Sequence, residues 1–373
     1  MRLLRGRRVG LLAHAASVDA SLRPALEVLR AAGVEIAALF GPEHGVDGGA
    51  QDMVAVGDGS LGNLPVYSLY GSSAVDLSPK PQWLEGLEAI VVDLQDVGSR
   101  YYTYVWTAAL LLRAAARAAL SVIVLDRPNP LGGEIVEGRP QRSGYRSFVG
   151  LYDLPVRHGL TIAEILRLVV REEALDPVAL EIVEMSGWRR DLTFDQTGLP
   201  WVLPSPNMPT LDTAFVYPGG CLLEGTVLSE GRGTTRPFEL WGAPWIDGCA
   251  LAHELSIEGA LLRPVHFRPA FQKHAGISCG GVQVHVTDRA RFRSYEAYLR
   301  MIEAALRQQP EGVPPWRREP YEFEEDRLAF DLLTGGAELR QALSHGAPID
   351  VLLEAETAGA RDFQKSAREL HLY

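Results

Sequence analysis

Three short segments concentrate the residue types that move protons and hold sugars or anions. The first is Gly41-Pro-Glu-His-Gly45, a carboxyl and an imidazole in a turn stiffened by proline and bracketed by glycines. Carboxyls held partly out of water keep a proton more readily, so a turn of this kind makes Glu43 a candidate general acid. A solvated bend would use the same residues, and His44 can spend its ring on backbone as well as on a ligand. The second segment, Asp93 to Tyr104, gathers two carboxylates, an arginine and three tyrosines. Asp96, Arg100, Tyr101 and Tyr104 would suit the wall of a sugar or carboxylate pocket, with Arg100 gripping an anion through two parallel N–H bonds. An internal Asp–Arg pair that stiffens the loop is the alternative. The third segment, Leu223 to Thr235, sets Glu224, Glu230 and Arg232 among glycines that allow backbone to approach a ligand closely. Glycoside hydrolysis ordinarily needs two carboxyl groups. Glu230 or Glu224 would be the second, unless one of them only neutralises Arg232.

Residues so far apart act together only if the fold converges them. Val9-Gly-Leu-Leu-Ala13, Val34 to Phe40, Ala89 to Asp93 and Ser121 to Leu125 are short, unbroken apolar runs. Ser21 to Ala32 and Tyr104 to Leu120 lie between them with helical apolar spacing. Strands that are apolar throughout are buried on both faces, which predicts an α/β fold with a Rossmann-like parallel sheet flanked by helices. The polar segments follow the strands directly, and Leu125 leads into Asp126-Arg-Pro-Asn-Pro130. All of them therefore emerge at the carboxyl edge, where such sheets bind ligands. Asn129 joins the candidates on this ground.

Thr161-Ile-Ala-Glu164 has the form of a capping box opening a further helix. The Pro- and Gly-rich stretch from Leu199 to Pro244, which carries Asn207, reads as a long functional loop. Beyond it, Val282-Gln-Val-His-Val286 alternates as a strand and Tyr295 to Arg307 repeats as a helix. We expect a Rossmann-like domain over residues 1–240 and a smaller α/β or α+β domain over residues 241–373 that closes the cleft.

Composition excludes several functions. With 47% apolar and 22% charged residues the chain has ample core. A net charge of −11, from 36 basic and 47 acidic residues, disfavours nucleic acid and anionic membranes as partners. No apolar run reaches the roughly 20 residues of a membrane span, so no membrane insertion is expected. Arg2 to Ala13 is too short in its apolar part for a secretory leader. The chain as written reads as cytoplasmic, and extracytoplasmic only if an upstream signal was removed. Cys221, Cys249 and Cys279 have no metal-ligand spacing and read as buried small hydrophobes. Phosphate-binding glycine motifs and HExxH are missing, so we expect neither metal nor organic cofactor.

Beside this stands a resemblance. Leu39-Phe-Gly-Pro-Glu-His-Gly45, Leu64-Pro-Val-Tyr-Ser-Leu-Tyr-Gly71, Val92 to Tyr104, Val124-Leu-Asp-Arg-Pro-Asn-Pro130, His158-Gly-Leu-Thr161, Trp201 to Thr210, Ser229-Glu-Gly-Arg-Gly-Thr234 and Leu370-His-Leu-Tyr373 occur in order over nearly the whole chain. In these segments the chain resembles the NamZ family of exo-β-N-acetylmuramidases. The resemblance implies a Rossmann-like catalytic domain with an auxiliary C-terminal domain. It also implies release of N-acetylmuramic acid from the non-reducing end of peptidoglycan-derived glycans, without a cofactor. It points to Glu43 as catalytic, places Ser229 and Thr234 beside Glu230 and Arg232, and makes Arg100 or Arg232 the partner of the substrate's lactyl carboxylate. His14-Ala-Ala-Ser17 departs from the Asn-Gln-Thr type of segment that many relatives carry there. The alternatives are a non-catalytic binder of muropeptides or sugars, and a hydrolase of another amino-sugar linkage.

Overall fold

The computed structural model describes residues 2–176 and 180–373. Seven strands form the main sheet: β1 (Arg8–Ala13), β2 (Glu35–Gly41), β3 (Gly59–Leu61), β4 (Leu64–Ser68), β5 (Ala89–Asp93), β6 (Ser121–Leu125) and β7 (Leu180–Val183). Their order is β3-β4-β2-β1-β5-β6-β7, parallel throughout except for β3, which pairs antiparallel with β4. The runs predicted as two-face-buried are so: β1 is buried from Val9 onward and β5 along its whole length.

Helices cover the sheet. On one side, α3 (Tyr104–Arg117) and α4 (Ile162–Glu172) pack into the larger core, and α4 opens on the capping box expected at Thr161 and Glu164. On the other, α1 (Ala25–Ala31) closes a smaller core over Leu11, Leu39 and Val91. This first helix is shorter than the expected span from Ser21. The Asp19 carboxylate takes the N–H groups of Ser21 and Arg23 at 2.9 and 3.0 Å, making a turn in place of a helical one.

The stretch read as one long loop contains α5 (Leu211–Gly220), capped by Thr210, whose hydroxyl accepts from the Thr213 N–H at 3.2 Å. Its pattern hides it, because α5 is apolar on all sides and packs against α7 (Ser294–Leu306). The second sheet is antiparallel, ordered β8 (Leu240–Ala243), β10 (Cys279–Val286), β9 (Ala260–Phe267), with α6 (Gly248–Glu254) against β9 and β10. Then follow α8 (Ala329–Thr334), α9 (Glu338–Ser344) and α10 (Asp350–Ser366). One apolar cluster runs from Val92 and Trp106 in the first layer through Phe215 and Leu222 to Trp241 and Tyr298 in the second. Cys221 and Cys279 are buried as expected, but Cys249 is exposed near the start of α6. Among the described residues no helix is long and apolar enough to cross a membrane.

Candidate active site

The strand ends set the geometry. β2 runs out at Gly41, and the chain folds at once through His44 (φ +69°) and Gly45 (φ +80°). This conformation is costly for histidine. It is held by the His44 ring, whose Nδ1 lies 2.8 Å from the Ala50 carbonyl oxygen. The bend turns Glu43 inward, 5% exposed, toward the end of α3. There Thr103 stands at the N-cap without capping the helix and instead donates its hydroxyl to Glu43 Oε2 at 2.7 Å. Glu43 Oε1 accepts from the Met53 N–H at 3.3 Å. The same loop carries Asp52 to the cavity.

The opposite wall comes from beyond α5. Arg232 sits between Gly231 (φ +77°) and Gly233 (φ +79°), and a Cβ at Gly231 would collide with the Leu240 carbonyl oxygen. Only glycine fits that approach. Arg232 Nη2 donates to Glu224 Oε1 at 2.6 Å and to Asp52 Oδ1 at 3.1 Å, while Nε has no hydrogen-bond partner among the described residues. A tight turn at Tyr321 to Glu324, with Glu322 at φ +47° and Phe323 at φ +66°, brings in two more groups. The Tyr321 hydroxyl donates to Glu224 at 2.6 Å, and Glu322 accepts from the Tyr70 hydroxyl at 3.0 Å. Positive φ at His44, Met53, Phe238, Glu322 and Phe323 gathers backbone strain around one cavity, a feature of functional sites.

The cavity is narrow, about 30 Å³ of room for a water-sized sphere, and reaches about 400 Å³ of space not filled by protein atoms only when the solvent at its mouth is included. Five carboxyls, Glu43, Asp52, Glu224, Glu230 and Glu322, stand in or just behind its wall against two cations, Arg232 and Lys273. So many buried like charges cannot all ionise. Burial, then the neighbouring Glu43 and Asp52, push Glu322 well above the usual carboxylate range. Asp52 is pushed up to about 7, chiefly by burial, with Arg232 pulling the other way and Glu224, Glu43 and Glu230 adding to the rise. Burial opposes the charge on Glu224 too, but Arg232 and the Tyr321 hydroxyl outweigh it and hold Glu224 below its ordinary value. Oxygens of Glu43, Asp52 and Glu322 all lie within 4.8 Å of one another. A trio at that spacing either bridges a cation or shares protons. Arg232 already supplies positive charge to Asp52 and Tyr70 already donates to Glu322, which fits proton sharing. The Tyr102 hydroxyl, buried in the cavity wall, sits beside the Ser205 and Tyr104 hydroxyls.

Of the residues singled out from the sequence, Glu43, His44, Tyr101, Asn207, Glu224 and Arg232 line this cavity. The others face elsewhere, for identifiable reasons. Arg100 is fully buried and donates to the carbonyl oxygens of Leu154 at 3.0 Å, Leu332 at 3.3 Å and Leu333, so its guanidinium ties the sheet-edge loop to the last turn of α8. Asp96 accepts from the Gly98 N–H at 2.8 Å and faces His158 Nε2 at 3.5 Å. Asn129 is spent at both ends, donating to Leu160 O at 2.9 Å and accepting from Leu131 N–H at 3.0 Å. The Tyr104 hydroxyl donates to Pro204 O at 2.7 Å. Ser229 pairs with Gly242 through backbone, and Thr234 turns back on Gly231 O. Glu230 stands behind Arg232, 3.7 Å from its Nε, and accepts from Lys273 Nζ at 2.9 Å. It is a counter-ion at the back of the wall.

Asp52, Tyr102, Thr103, Tyr321 and Glu322 were not read from the sequence as site residues. Thr103 and Tyr102 lie inside a segment that was singled out. Glu322 lies in Tyr321-Glu-Phe-Glu-Glu-Asp326, which has the look of a solvated acidic run. A larger and mostly apolar hollow is lined by Val28, Leu29, Ile123, Leu125 and Trp188 together with Asp19, Asp93, Asp126 and Arg127. Its carboxyls are spread out, Asp93 being paired with Arg127 and Asp19 with Arg23, and among the described residues they form no trio like that of Glu43, Asp52 and Glu322.

Comparison with known proteins agrees with this architecture. The family model described as exo-beta-N-acetylmuramidase NamZ, N-terminal, matches residues 9–212, and its C-terminal counterpart matches residues 215–373. The chain is 40% identical over 377 residues to the peptidoglycan beta-N-acetylmuramidase NamZ of Bacillus subtilis (strain 168), covering 99% of this chain and 88% of that protein. A crystal structure of a DUF1343 family protein from Bacteroides fragilis matches with a TM-score of 0.87 at 33% identity, covering 100% of this chain and 95% of that one. A second from the same species, at 24% identity and a TM-score of 0.75 over 100% of this chain and 96% of that one, shares the fold. By both halves of its sequence and by its full-length relative, the chain belongs to the exo-β-N-acetylmuramidase NamZ family.

Proposed function

We propose that this chain is an exo-acting glycosidase that releases N-acetylmuramic acid from the non-reducing end of peptidoglycan-derived glycans. The observation that carries this most is the cavity itself. It is largely enclosed, it sits at the carboxyl edge of the parallel sheet, and it brings Glu43 within 4.8 Å of two further carboxyls across from Arg232. Glu43 acts as general acid on the leaving oxygen. Glu322, with Tyr70 behind it, takes the place of the second carboxyl, to which Glu230 has no access from behind Arg232. Inverting glycosidases separate their carboxyls by roughly 6.5–9.5 Å to admit water. We infer a retaining or substrate-assisted course, in which the second group acts on the sugar or its N-acetyl arm, because the nearest oxygens of Glu43 and Glu322 leave little room between them. Arg232 pairs with the lactyl carboxylate. We place the division between the catalytic and auxiliary parts after residue 240, where the antiparallel sheet begins.

The test is an assay of paired chromogenic glycosides, one an N-acetylmuramide and the other the matching N-acetylglucosaminide. Cleavage of the muramide alone is expected. Cleavage of the glucosaminide in preference would assign the enzyme to another amino-sugar. Tight binding of N-acetylmuramic acid with cleavage of neither would make the protein a silent binder.

A further inference from the structure

An anionic sugar entering this cavity meets a paradox of charge. The lactyl arm carries a carboxylate, yet the cavity already sets five carboxyls against two cations. Its natural anchor, Arg232, is 6% exposed and is taken by Glu224 at 2.6 Å and Asp52 at 3.1 Å. A further anion can bind only if one of these partners gives way or is neutralised, because an added unpaired charge in a buried site is far too costly.

The two partners differ in how firmly they are held. Glu224 is 4% exposed and accepts a second hydrogen bond from the Tyr321 hydroxyl at 2.6 Å. The Asp52 side chain is 16% exposed against 5% for that of Glu224, comes from the loop after β2, and lines the cavity. It faces Arg232 on one side. Glu43 from its own loop, Glu224, Glu230 and Cys221 from the chain beyond α5, Glu322 from the 321–324 turn and Tyr70 after β4 surround it on the others. Arg232 is the cation in contact with it, so losing that contact leaves Asp52 among like charges.

We propose, on the basis of the muramidase assignment above, that Asp52 is a proton-exchanging specificity residue. The lactyl carboxylate displaces Asp52 from Arg232, and Asp52 takes a proton from solvent as it is displaced. The balance is simple. One anion replaces another on the guanidinium, one proton neutralises the one displaced, and the net charge of the cavity is unchanged. A sugar without the lactyl arm leaves the Asp52–Arg232 pair in place and takes up no proton.

Linkage fixes the direction. In the free protein burial pushes Asp52 up to about 7, against the pull of Arg232. In the complex, without Arg232, burial and its acidic neighbours raise it further. Below about pH 7 the proton is already present and affinity is flat. Above it, binding must import the proton, and affinity for N-acetylmuramic acid falls by roughly tenfold per pH unit until the complex itself titrates. The measurement is calorimetry at pH 8 in buffers of different ionisation enthalpy, using N-acetylmuramic acid and N-acetylglucosamine on the intact protein. Uptake approaching one proton for the first sugar and near zero for the second is expected, with Asp52→Asn abolishing the uptake and flattening the pH slope. Binding of N-acetylmuramic acid without proton uptake by the wild-type protein overturns the proposal while leaving the muramidase assignment standing. Uptake that persists in Asp52→Asn overturns it equally, by assigning the proton to another group. Absence of binding together with absence of muramide hydrolysis overturns both. The wild-type measurement needs no variant to fold.

Discussion

Two polar clusters gather at the same sheet edge and meet opposite fates. In the first, Arg100, Asp96, Asn129 and His158 point into the protein, and most of their polar atoms are used on backbone: three carbonyl oxygens for Arg100, one carbonyl and one N–H for Asn129. In the second, Glu43, Asp52, Glu322 and Arg232 face a cavity and carry an excess of like charge. The first cluster is a brace that spends most of its hydrogen bonds on backbone, although Asp96 Oδ1, Arg100 Nε and His158 Nε2 have no partner among the described residues. The second is stable only with bound protons, because its carboxyls outnumber its cations around a cavity. Residue type does not separate the two, since each holds a carboxyl and an arginine. What separates them is whether the charges balance and whether they face a cavity.

The largest effect is expected where the comparison is sharpest. Glu43→Gln keeps the volume and the contact with Thr103 but cannot deliver a proton to the leaving oxygen. Hydrolysis of a muramic-acid disaccharide should fall by roughly 10²–10⁴-fold, with little change in KM. An aryl muramide whose phenol departs unaided should lose much less. Equal loss on both substrates would make Glu43 a nucleophile or an orienting base, and near-normal rates on the disaccharide would return it to the brace class.

Arg100→Met tests the brace from the other side. It strands the Leu332 and Leu333 carbonyls in a fully buried place and leaves Leu154 O with the Gln141 N–H at 3.3 Å. At about 1–3 kcal/mol per unsatisfied group, a loss of roughly 2 kcal/mol or more of stability is expected, read as a lowered urea midpoint. The kcat of the fraction that remains folded at low temperature should be near normal. A large fall in kcat with unchanged stability would place Arg100 in the chemistry.

The sequence foretold the sheet better than the site. Unbroken apolar runs at β1, β2, β5 and β6 are unambiguous because both faces of each strand are buried, and their order alone puts the following loops at one edge. The short strands β3, β4 and β7 and the all-apolar helix α5 carry no such pattern. At the site, Glu43 was legible because proline and glycines mark its turn. Asp52 and Glu322 were not, since a carboxylate in a polar loop looks the same whether water or protein surrounds it. Only tertiary packing buries Glu322, through a turn with two successive positive φ angles that neither glycine nor asparagine announces.

His14 gives a smaller test, on stability alone. Its Nε2 accepts from the Gln95 N–H at 2.8 Å and its Nδ1 lies 3.2 Å from Pro204 O, so the folded protein holds it neutral. Burial, despite the Pro204 bond, lowers its pKa to about 3 from an ordinary 6.5. A depressed histidine stabilises the fold above the unfolded value, and that contribution is lost as pH falls from 6.5 toward 3. By pH 4 the loss is about 3 kcal/mol. His14→Gln should flatten the fall in stability between pH 7 and 4, measured by urea unfolding at each pH. An unchanged slope would mean that other groups dominate acid unfolding.

The smallest effect on turnover is expected at Glu230, and it decides on which side of the comparison that residue belongs. Glu230 is 2% exposed and stands between Lys273 at 2.9 Å and Arg232 at 3.7 Å, behind the cavity wall. If it is a counter-ion, Glu230→Gln removes charge but leaves an acceptor for Lys273, and it disturbs the reaction only by loosening Arg232. The muramide should then bind somewhat less well, with KM raised less than tenfold, kcat nearly unchanged, and the same ratio on the aryl glycoside as on the disaccharide. Glu322→Gln makes the contrast. Its carboxyl faces the cavity and lies within 4.8 Å of those of Glu43 and Asp52, so kcat should fall by about 10²-fold, the low end for a lost acid–base group. The two variants change the same atom type, and both positions are buried. A difference in kcat between them therefore reports access to the cavity and not charge or stability. If Glu230→Gln instead costs more in kcat than Glu322→Gln, then Arg232 must swing aside on substrate binding to expose Glu230. The second carboxyl would in that case come from behind the wall.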